Sequence, residues 1–449
     1  MKLAKKFGLP KIMTTCTETF GFSRAAAIAV MVFIALFTLV VGFWFIHSAP
    51  PNTIVITSGP EGSVFHTNAV KYARILARNG VTLKILTSQG SLENLKRLGN
   101  PSCRVDIGFV QGGVTNGVNT SKLVSLGSVF YEPILVFYHG TTTIDLLSEL
   151  GGKRLAIGSA GSGTHALALN LLAANGIEPG GTTELLDLEG EAAATALMDG
   201  KVDAVFLMGD SASTQVMRKL VRTSGIQMLD FTQADGYTRR IGYLHKLELP
   251  KGCLDFGKNL PPHDVQLIGP TVELIARPDL HPALSYLLLD AAREVHGNAT
   301  LFHRRGEFPV ASEHEFQLSA DARRYFTSGK SFFYRFLPFG LAGLVNRMLV
   351  VFVPMLVLLI PGLRLIPALY KWRIRLGIYR WYRALLALEK EIFAQDALQK
   401  KDRLLKRLNQ IEEAVNKMHV PASFADQFYG LRGHISFVRE RLQNSTPSI

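Results

Sequence analysis

The sequence predicts a two-lobed α/β domain that is flanked by two transmembrane helices and followed by a C-terminal α-helical hairpin. Three observations support this prediction. Apolar strands alternate with helical segments twice along residues 53–231, two long apolar runs frame this region, and apolar residues recur at helical spacing after residue 371. Alternating strands and helices are typical of a mainly parallel sheet in each lobe.

Two glycine-rich turns, each between a predicted strand and a predicted helix, are the strongest functional signal. The first covers Thr57–Ser63 and the second covers Gly158–Thr164. Glycine lets a backbone turn sharply and approach a ligand closely. The first turn of a helix leaves N–H groups unpaired and carries partial positive charge, so a small anion can bind there. The two turns therefore predict two half-sites that face each other.

The order of elements recurs, together with short motifs at the ends of the elements, which indicates two similar lobes. Asn79-Gly80-Val81 in the first lobe parallels Asn175-Gly176-Ile177 in the second, and Val105-Asp106 parallels Val202-Asp203. Asn-Gly suits the left-handed end of a helix. In open α/β sheets, ligands lie beyond the carboxyl ends of the strands. The predicted ligand site is therefore the cleft between the lobes, where both glycine turns fall.

The predicted two-lobed domain covers residues 48–335. The first lobe takes about residues 53–130 plus a returning C-terminal segment, and the second takes about residues 140–270. Tyr131–Tyr138 and Thr271–Arg277 are apolar or alternating runs, which we interpret as the crossover strands of a hinge.

Two apolar runs predict membrane spans. Ala25–Ile46 is unbroken, and as a helix it would reach ~33 Å, enough for a bilayer core. Leu344–Leu369 is the second candidate span, for which an interfacial helix is the alternative. Basic residues flank both runs, as they do in cytoplasmic segments. We therefore expect a bacterial inner-membrane protein with two spans, a cytoplasmic segment 1–24, a periplasmic binding domain and a cytoplasmic tail 371–449.

The tail is predicted to form a helical hairpin that breaks at His419–Ser423. Its apolar stripe must be buried by packing of the two arms, by a second copy in a homodimer, or by another protein. Packing of the two arms on each other is the simplest of these, because a short connection favours antiparallel neighbours.

Composition argues against several functional classes. The net charge of +13 lies in the flanks, whereas the central body is nearly balanced. Because nucleic-acid binding needs a basic face on the folded body, we expect no nucleic-acid partner. There is no CxxC pair and no HExxH sequence, so we expect no metal site and no cofactor. Cys103 and Cys253 would share the exported domain, and the sequence leaves their pairing open.

Neither glycine turn carries a catalytic motif. Thr164 follows Gly163 where a phosphate-binding P-loop has lysine, and the residues around Ser162 lack the G-x-S-x-G frame. We therefore expect that the protein is not an enzyme. An exported enzyme that uses Glu61 or Ser162 is the alternative.

What remains is binding chemistry at the predicted cleft. Hydroxyl and backbone N–H groups of the second turn can receive a carboxylate, although Ser162 could also act simply as a helix cap. Side chains of the first turn and of the neighbouring strand and helix ends should face the same cleft, with Phe65 as an apolar wall. The candidate ligand-binding residues are Gly62, Ser63, Phe65, Ser91, Asn94, Gln111, Ser159, Ser162, Gly163, Thr164 and His165.

Several motifs along residues 54–326 are specific in combination. They are Gly59-Pro60-Glu61-Gly62-Ser63, Ser88-Gln89-Gly90-Ser91, Val105-Asp106, the turn Gly158–Thr164, and Asp199-Gly200-Lys201-Val202-Asp203-Ala204. This combination resembles the solute receptors of tripartite ATP-independent periplasmic (TRAP) transporters, specifically the TAXI subgroup. The tail resembles a membrane-tethered branch of the same family through Leu337-Pro338-Phe339 and Tyr379-Arg380-Trp381-Tyr382. The resemblance implies a periplasmic-binding-protein-like (type II) fold that closes on a small organic anion and delivers it to an ion-driven permease.

Together these observations predict a membrane-anchored extracytoplasmic receptor. Its ligand would be a small organic anion, either a carboxylate or an acidic amino acid, and its partners would be a multi-pass TRAP-type permease and the lipid bilayer. Two spans are too few to form a transport pathway, so the permease must be a separate protein. The alternative is a ligand-binding sensor that passes closure of the cleft to a cytoplasmic partner through the helical tail.

Overall fold

The computed structural model describes residues 50–392 and 401–444, apart from 116, 119, 141, 313–314, 330–335, 338, 419 and 421–423, together with scattered positions between 32 and 43. The chain divides into two compact units. One is Ser48–Arg347, and the other includes Met348–Ile449.

The first unit contains two sheets with helices packed against them. In chain order its elements are β1 (Thr53–Thr57), α1 (Val64–Ala77), β2 (Thr82–Leu86), α2 (Ser91–Gly99), β3 (Ile107–Gln111), β4 (Val124–Tyr131), β5 (Leu135–His139), a 3-10 turn (Leu147–Leu150), β6 (Arg154–Ala156), α3 (Gly163–Ala174), β7 (Glu184–Leu186), α4 (Gly190–Met198), β8 (Ala204–Leu207), α5 (Thr214–Arg222), β9 (Ile226–Met228), α6 (Ala234–Arg240), β10 (Leu244–Leu249), β11 (Val265–Ala276), α7 (Pro282–His296), β12 (Gln317–Leu318) and α8 (Ala320–Ser328).

The two sheets share one strand order. The first runs β2-β1-β3-β11-β4 with β12 at its edge, and the second runs β7-β6-β8-β5-β9. In each sheet the first three strands are parallel, and the strand that arrives from the other lobe, β11 or β5, is inserted antiparallel to them. Each lobe buries its own apolar core. The predicted two-lobed α/β fold is therefore confirmed.

The chain crosses between the lobes at two places. It leaves the first sheet at the end of β4 and enters the second at β5, and β11 pairs with β10 before it returns to the first sheet. The predicted crossover strand Tyr131–Tyr138 is divided between β4 and β5. Pro133, which lacks the N–H that a central strand needs, lies in the gap. The predicted strand Thr271–Arg277 is the second half of β11, apart from Arg277.

The repeated sequence motifs occupy equivalent positions in the two lobes. The carboxylate of Asp106 accepts a hydrogen bond from the Val55 N–H at 2.7 Å, and that of Asp203 accepts one from the Arg154 N–H at 2.8 Å. Each aspartate thus ties its own strand to the first strand of its lobe. Gly80 and Gly176, which follow α1 and α3, both have left-handed φ angles, +75° and +78°. The sequence repeat therefore corresponds to a structural repeat.

The second unit is helical. Its elements are α9 (Phe339–Ile392), which begins in the first unit, α10 (Lys401–Asn416) and α11 (Ala425–Asn444). The predicted apolar stripe is buried among these helices, with Leu385, Leu388, Leu408 and Val415 almost inaccessible. The predicted helical C-terminal region is therefore confirmed. Residues 393–400, in the middle of the predicted first arm, lie outside the described part, and the homodimer through the tail stays a prediction.

The predicted location is wrong. Among the described residues, no helix combines the length and the hydropathy of a membrane span. The second candidate span, Leu344–Leu369, lies within α9. The assignment to the inner membrane with two spans therefore fails on this finding. Most of the first run, Ala25–Ile46, lies outside the described residues.

Candidate functional site

The loop after β8, Gly209–Ser211, lies where the two lobes meet. The carbonyl of Gly209 accepts hydrogen bonds from the N–H groups of Val64, at 2.9 Å, and Phe65, at 3.4 Å, which begin α1. The next residue, Asp210, accepts one from the N–H of Gly163, which begins α3, at 2.5 Å. Two adjacent residues therefore occupy both of the helix N-termini that the glycine turns create.

Asp210 is a fully buried carboxylate with several donors. Besides Gly163, the hydroxyl of Thr164 donates to Oδ1 at 2.7 Å, and the N–H of Ser91 in the first lobe donates to Oδ2 at 3.3 Å. Burial raises the pKa of Asp210, and the bonds from Thr164, Gly163 and Ser91 oppose that rise. The position predicted to bind an anion thus holds a carboxylate of the chain itself.

Other hydrogen bonds join the lobes directly. The Glu93 N–H donates to the Gly161 carbonyl at 2.9 Å, and the Gln111 side-chain amide donates to the Gly163 carbonyl at 3.0 Å. Gly163 fits beneath Gln111 because it has no side chain, since a Cβ there would lie 2.2 Å from Gln111 Cδ. The second glycine turn is therefore pressed against the first lobe.

The first-turn candidates have mainly structural positions. Ser63 caps α1, its Oγ accepting from the His66 N–H at 3.1 Å, and Gly62 provides a left-handed turn at φ +81°. Phe65 is fully buried in the core of the first lobe, with its ring centroid 5.5 Å from that of Phe109. It lines neither of the two cavities described below, so the predicted apolar wall is a core residue.

Ser91, Asn94 and Gln111 lie together beneath the junction. The Asn94 side chain accepts from the hydroxyls of Thr57 and Ser88, and donates to the carbonyls of Ser58 and Phe109. Because its donors and acceptor are satisfied inside the lobe, Asn94 holds the ends of three strand–helix segments together. Ser91 and Gln111, in contrast, both contact the second lobe.

The second-turn candidates form one local network. Ser162 Oγ accepts from the His165 N–H at 3.0 Å, which caps α3, and donates to the Ser159 carbonyl at 2.8 Å. The Ser159 hydroxyl donates to the carboxylate of Glu189, and His165 Nδ1 lies 3.0 Å from the Gly158 carbonyl. Capping by Ser162 is thus present, and the ligand roles of these residues stay predictions.

Two cavities adjoin the Gly209–Ser211 loop. The first has a volume of about 670 Å³ and lies between the first turn of the first lobe and the starts of α4 and α5. The second has about 320 Å³ and is enclosed by α1, the link between β4 and β5, and the segment after α7. We call them the turn cavity and the hinge cavity.

The junction is acidic. Glu132, between β4 and β5, is 2% exposed and lines the hinge cavity. Burial, followed by the charge of Asp210, raises its pKa well above the usual range, although the N–H groups of Gly209 and Asp210 act in the opposite direction. Burial also raises the pKa of Glu189, which lines the turn cavity.

Among the described residues, no group of three or more histidine, cysteine or acidic side chains is arranged to hold a metal ion.

Sequence reasoning missed Asp210, Gly209 and Glu132. A signal was present for the first two, because Gly209-Asp210-Ser211 directly follows an apolar strand, as the two recognised turns do. For Glu132 the signal is different: it is a single acidic residue inside the apolar run Tyr131–Tyr138. An isolated charge in such a run requires a partner or a function.

Solved structures show distant likenesses. A protein of Bordetella bronchiseptica RB50 is 18% identical over 54% of this chain and 71% of its own, with a TM-score of 0.38. An ancestral arginine-binding protein bound to arginine is 13% identical over 56% of this chain and 96% of its own, with a TM-score of 0.37. The periplasmic aliphatic sulphonate binding protein of Escherichia coli is 15% identical over 54% and 69%, with a TM-score of 0.34.

Residues 56–300, more than half of the sequence, match the NMT1-like family. This range contains both glycine turns, the hinge and the Gly209–Ser211 loop. The chain therefore belongs to the NMT1-like family.

Proposed function

We propose that this protein is a solute receptor that binds a small organic anion between its lobes and delivers it to a multi-pass permease of the TRAP type. Two features support the receptor role: membership of the NMT1-like family, and a two-lobed fold in which two chain crossings connect lobes that meet at a polar junction. The motifs that resemble the TAXI subgroup, above all the turn Gly158–Thr164, support the TRAP-type permease as partner.

One observation supports an anion as ligand. The Gly163 N–H and the Thr164 hydroxyl already bind a carboxylate, that of Asp210, with short hydrogen bonds. A helix N-terminus with a charge-assisted donor set suits this charge whatever molecule carries it. In the loaded receptor, a carboxylate of the solute takes this position and Asp210 moves away from it.

The test is a thermal-shift screen of the full-length protein against carboxylates, amino acids and neutral sugars. At a ligand concentration 100 times Kd, binding should stabilise the protein by ~2.7 kcal/mol. Thr164→Val removes one donor and should weaken carboxylate binding by up to about tenfold, because a hydrogen bond to a charged group contributes about 1.5–3 kcal/mol. Part of that loss also falls on the unloaded state, in which Thr164 donates to Asp210.

The matched control is Thr327→Val, because Thr327 is exposed on α8. It should leave binding unchanged. Stabilisation by neutral sugars and by no carboxylate would refute the anion proposal. Equal carboxylate affinity in the two variants would place the anion elsewhere.

A further inference from the structure

The hinge cavity contains a buried carboxylate that is not paired with a cation. Both oxygens of Glu132 are buried without a well-aligned donor, and the backbone N–H groups of Gly209 and Asp210 are the groups that face them. Lys71 lines the same cavity, but its Nζ lies 3.4 Å from Asn68 Oδ1 and forms no ion pair with Glu132. Glu132 therefore differs from Asp210, which lies at the same junction and accepts hydrogen bonds from both lobes.

A buried carboxylate without an ion-pair partner is costly, because its charge loses more hydration than nearby backbone dipoles restore. Glu132 escapes part of this cost by holding a proton, which its raised pKa favours. A cation that entered the cavity would offset part of the remaining cost, because the gain from pairing is reduced by the hydration that the cation itself loses. When Glu132 is ionised, a second anion would add to the charges of Glu132 and Asp210, so the ionised form of Glu132 disfavours an anion in this cavity.

The walls of the hinge cavity also suit an organic cation. Phe130, Tyr131 and Phe302 line it, and aromatic faces attract ammonium groups. His296 lines it as well, with Nε2 buried and unpartnered, and burial lowers its pKa to about 3. The ring is therefore neutral near pH 7 and offers a polar atom without a competing positive charge.

We propose that the hinge cavity is a binding site for an organic amine, whose ammonium group pairs with Glu132. The proposal rests on the receptor function, but on none of the donors that hold Asp210. Glu132 lies between the lobes: a Cβ placed on Gly209 would be 3.0 Å from Glu132 Oε1 and 3.0 Å from Val64 Cβ. An amine bound there contacts the hinge and both lobes at once.

Binding is coupled to a proton. An ammonium ion pairs with the ionised form of Glu132, so a protonated Glu132 must release its proton to the solvent when the amine binds. Affinity should therefore rise with pH as Glu132 ionises. The other charged or titratable groups around it are Asp210, which opposes ionisation, and Lys71, His296, His303 and Tyr131 in the cavity wall.

The experiment is isothermal titration of the full-length protein with methylamine, butylamine, cadaverine and phenethylamine. Phenethyl alcohol and phenylacetate serve as the neutral and anionic counterparts of the last. At least one amine should bind with Kd below ~1 mM, and its counterparts should bind at least ten times more weakly. Titration in buffers of different ionisation enthalpy should show proton release by the wild-type protein.

Glu132→Gln keeps the shape of the side chain and should weaken amine binding about 10- to 100-fold, with loss of the proton release. Glu248→Gln, at an exposed position on β10, is the matched control and should bind as the wild type does. If Glu132→Gln does not fold, the amine site is tested by whether the wild-type protein releases a proton when an amine binds.

Three outcomes would overturn the amine site: binding by none of the amines, equal binding by Glu132→Gln, or binding without proton release at a pH where Glu132 is protonated. If carboxylates bind in a Thr164-dependent manner and amines do not, the amine site is wrong and the receptor function stands. If no solute of either panel binds, the receptor function fails as well.

Discussion

The two lobes of this protein use the same local devices. Asp106 and Asp203 tie equivalent strands together, and Gly80 and Gly176 end equivalent helices with nearly equal φ angles. Ser63 and Ser162 cap the helices that follow the two glycine turns. In backbone terms, each lobe therefore presents the same potential anion site.

The lobes differ in what those helix N-termini contact. The first, at Val64, meets the neutral carbonyl of Gly209, whereas the second, at Gly163, meets the carboxylate of Asp210. A helix N-terminus favours negative charge but is also satisfied by any acceptor. The repeated turn thus provides each lobe with the same backbone N–H donors. The Gly209–Ser211 loop determines which of the two sets binds a charged group.

The comparison predicts its largest effect at Asp210. Asp210→Ala leaves the buried donors of Gly163, Thr164 and Ser91 without an acceptor, and should reduce the free energy of unfolding by about 3–5 kcal/mol. Urea denaturation of the full-length protein measures the loss. Asp187→Ala, at an exposed aspartate of the same lobe, is the control and should cost less than about 0.5 kcal/mol.

Acetate or formate should restore part of the stability of Asp210→Ala, because either supplies the missing carboxylate to the same donors. Chloride at equal ionic strength should restore less. Equal stability of Asp210→Ala and Asp187→Ala would contradict the view that the helix N-terminus at Gly163 depends on a bound carboxylate.

The second prediction compares glycines of the two turns. Gly163→Ala places a Cβ 2.2 Å from Gln111 Cδ, and should cost about 2–3 kcal/mol because Gln111 is buried and must move. Gly62→Ala meets nothing within 4 Å, and should cost about 1 kcal/mol through its left-handed φ alone.

Hydrogen exchange of the Glu93 amide, which donates to the Gly161 carbonyl across the junction, separates the two mechanisms. The amide should exchange faster in Gly163→Ala and at the wild-type rate in Gly62→Ala. A larger destabilisation by Gly62→Ala would show that the first turn, not the second, is under packing constraint.

The third prediction concerns the two serine caps. Ser63→Ala and Ser162→Ala each remove one hydrogen bond from a helix N-terminus, which costs about 1 kcal/mol. Ser162 also donates to the Ser159 carbonyl, so its loss should cost a few tenths of a kcal/mol more. Paired urea titrations measure the difference, and equal or reversed costs would contradict it.

Much of this fold was predictable from sequence because its signals are local. Gly62, Ser162 and the Val-Asp pairs act on residues that are close in the chain or in an adjacent strand, so composition and spacing identify them. Asp210 meets Gly163 across 47 residues, and no local pattern encodes that contact. Phe65 shows the other limit: an apolar residue at a helix start can face either the core or a cleft, and only tertiary packing decides.

The smallest expected effect on stability is a pH-dependent difference between Asp203 and Asp106. The Asp106 carboxylate accepts a hydrogen bond from the Val55 N–H. Asp203 accepts hydrogen bonds from the guanidinium and from the backbone N–H of Arg154, which lower its pKa below the usual value of 3.8. Because the pKa is lower in the folded state, the stability this charge contributes is present above pH 3.8 and is lost as the pH falls through the folded-state value.

Asp203→Asn should therefore cost less than about 1 kcal/mol at pH 7, since the pair is partly exposed and screened. Its cost should shrink once the pH is well below 3.8, where the wild-type Asp203 is also neutral. Asp106→Asn serves as the comparison in the other lobe. Urea midpoints of the three proteins across this pH range measure the effect. A cost of Asp203→Asn that stays constant into acid would mean that the charge of Asp203, and with it the ion pair to Arg154, contributes no stability.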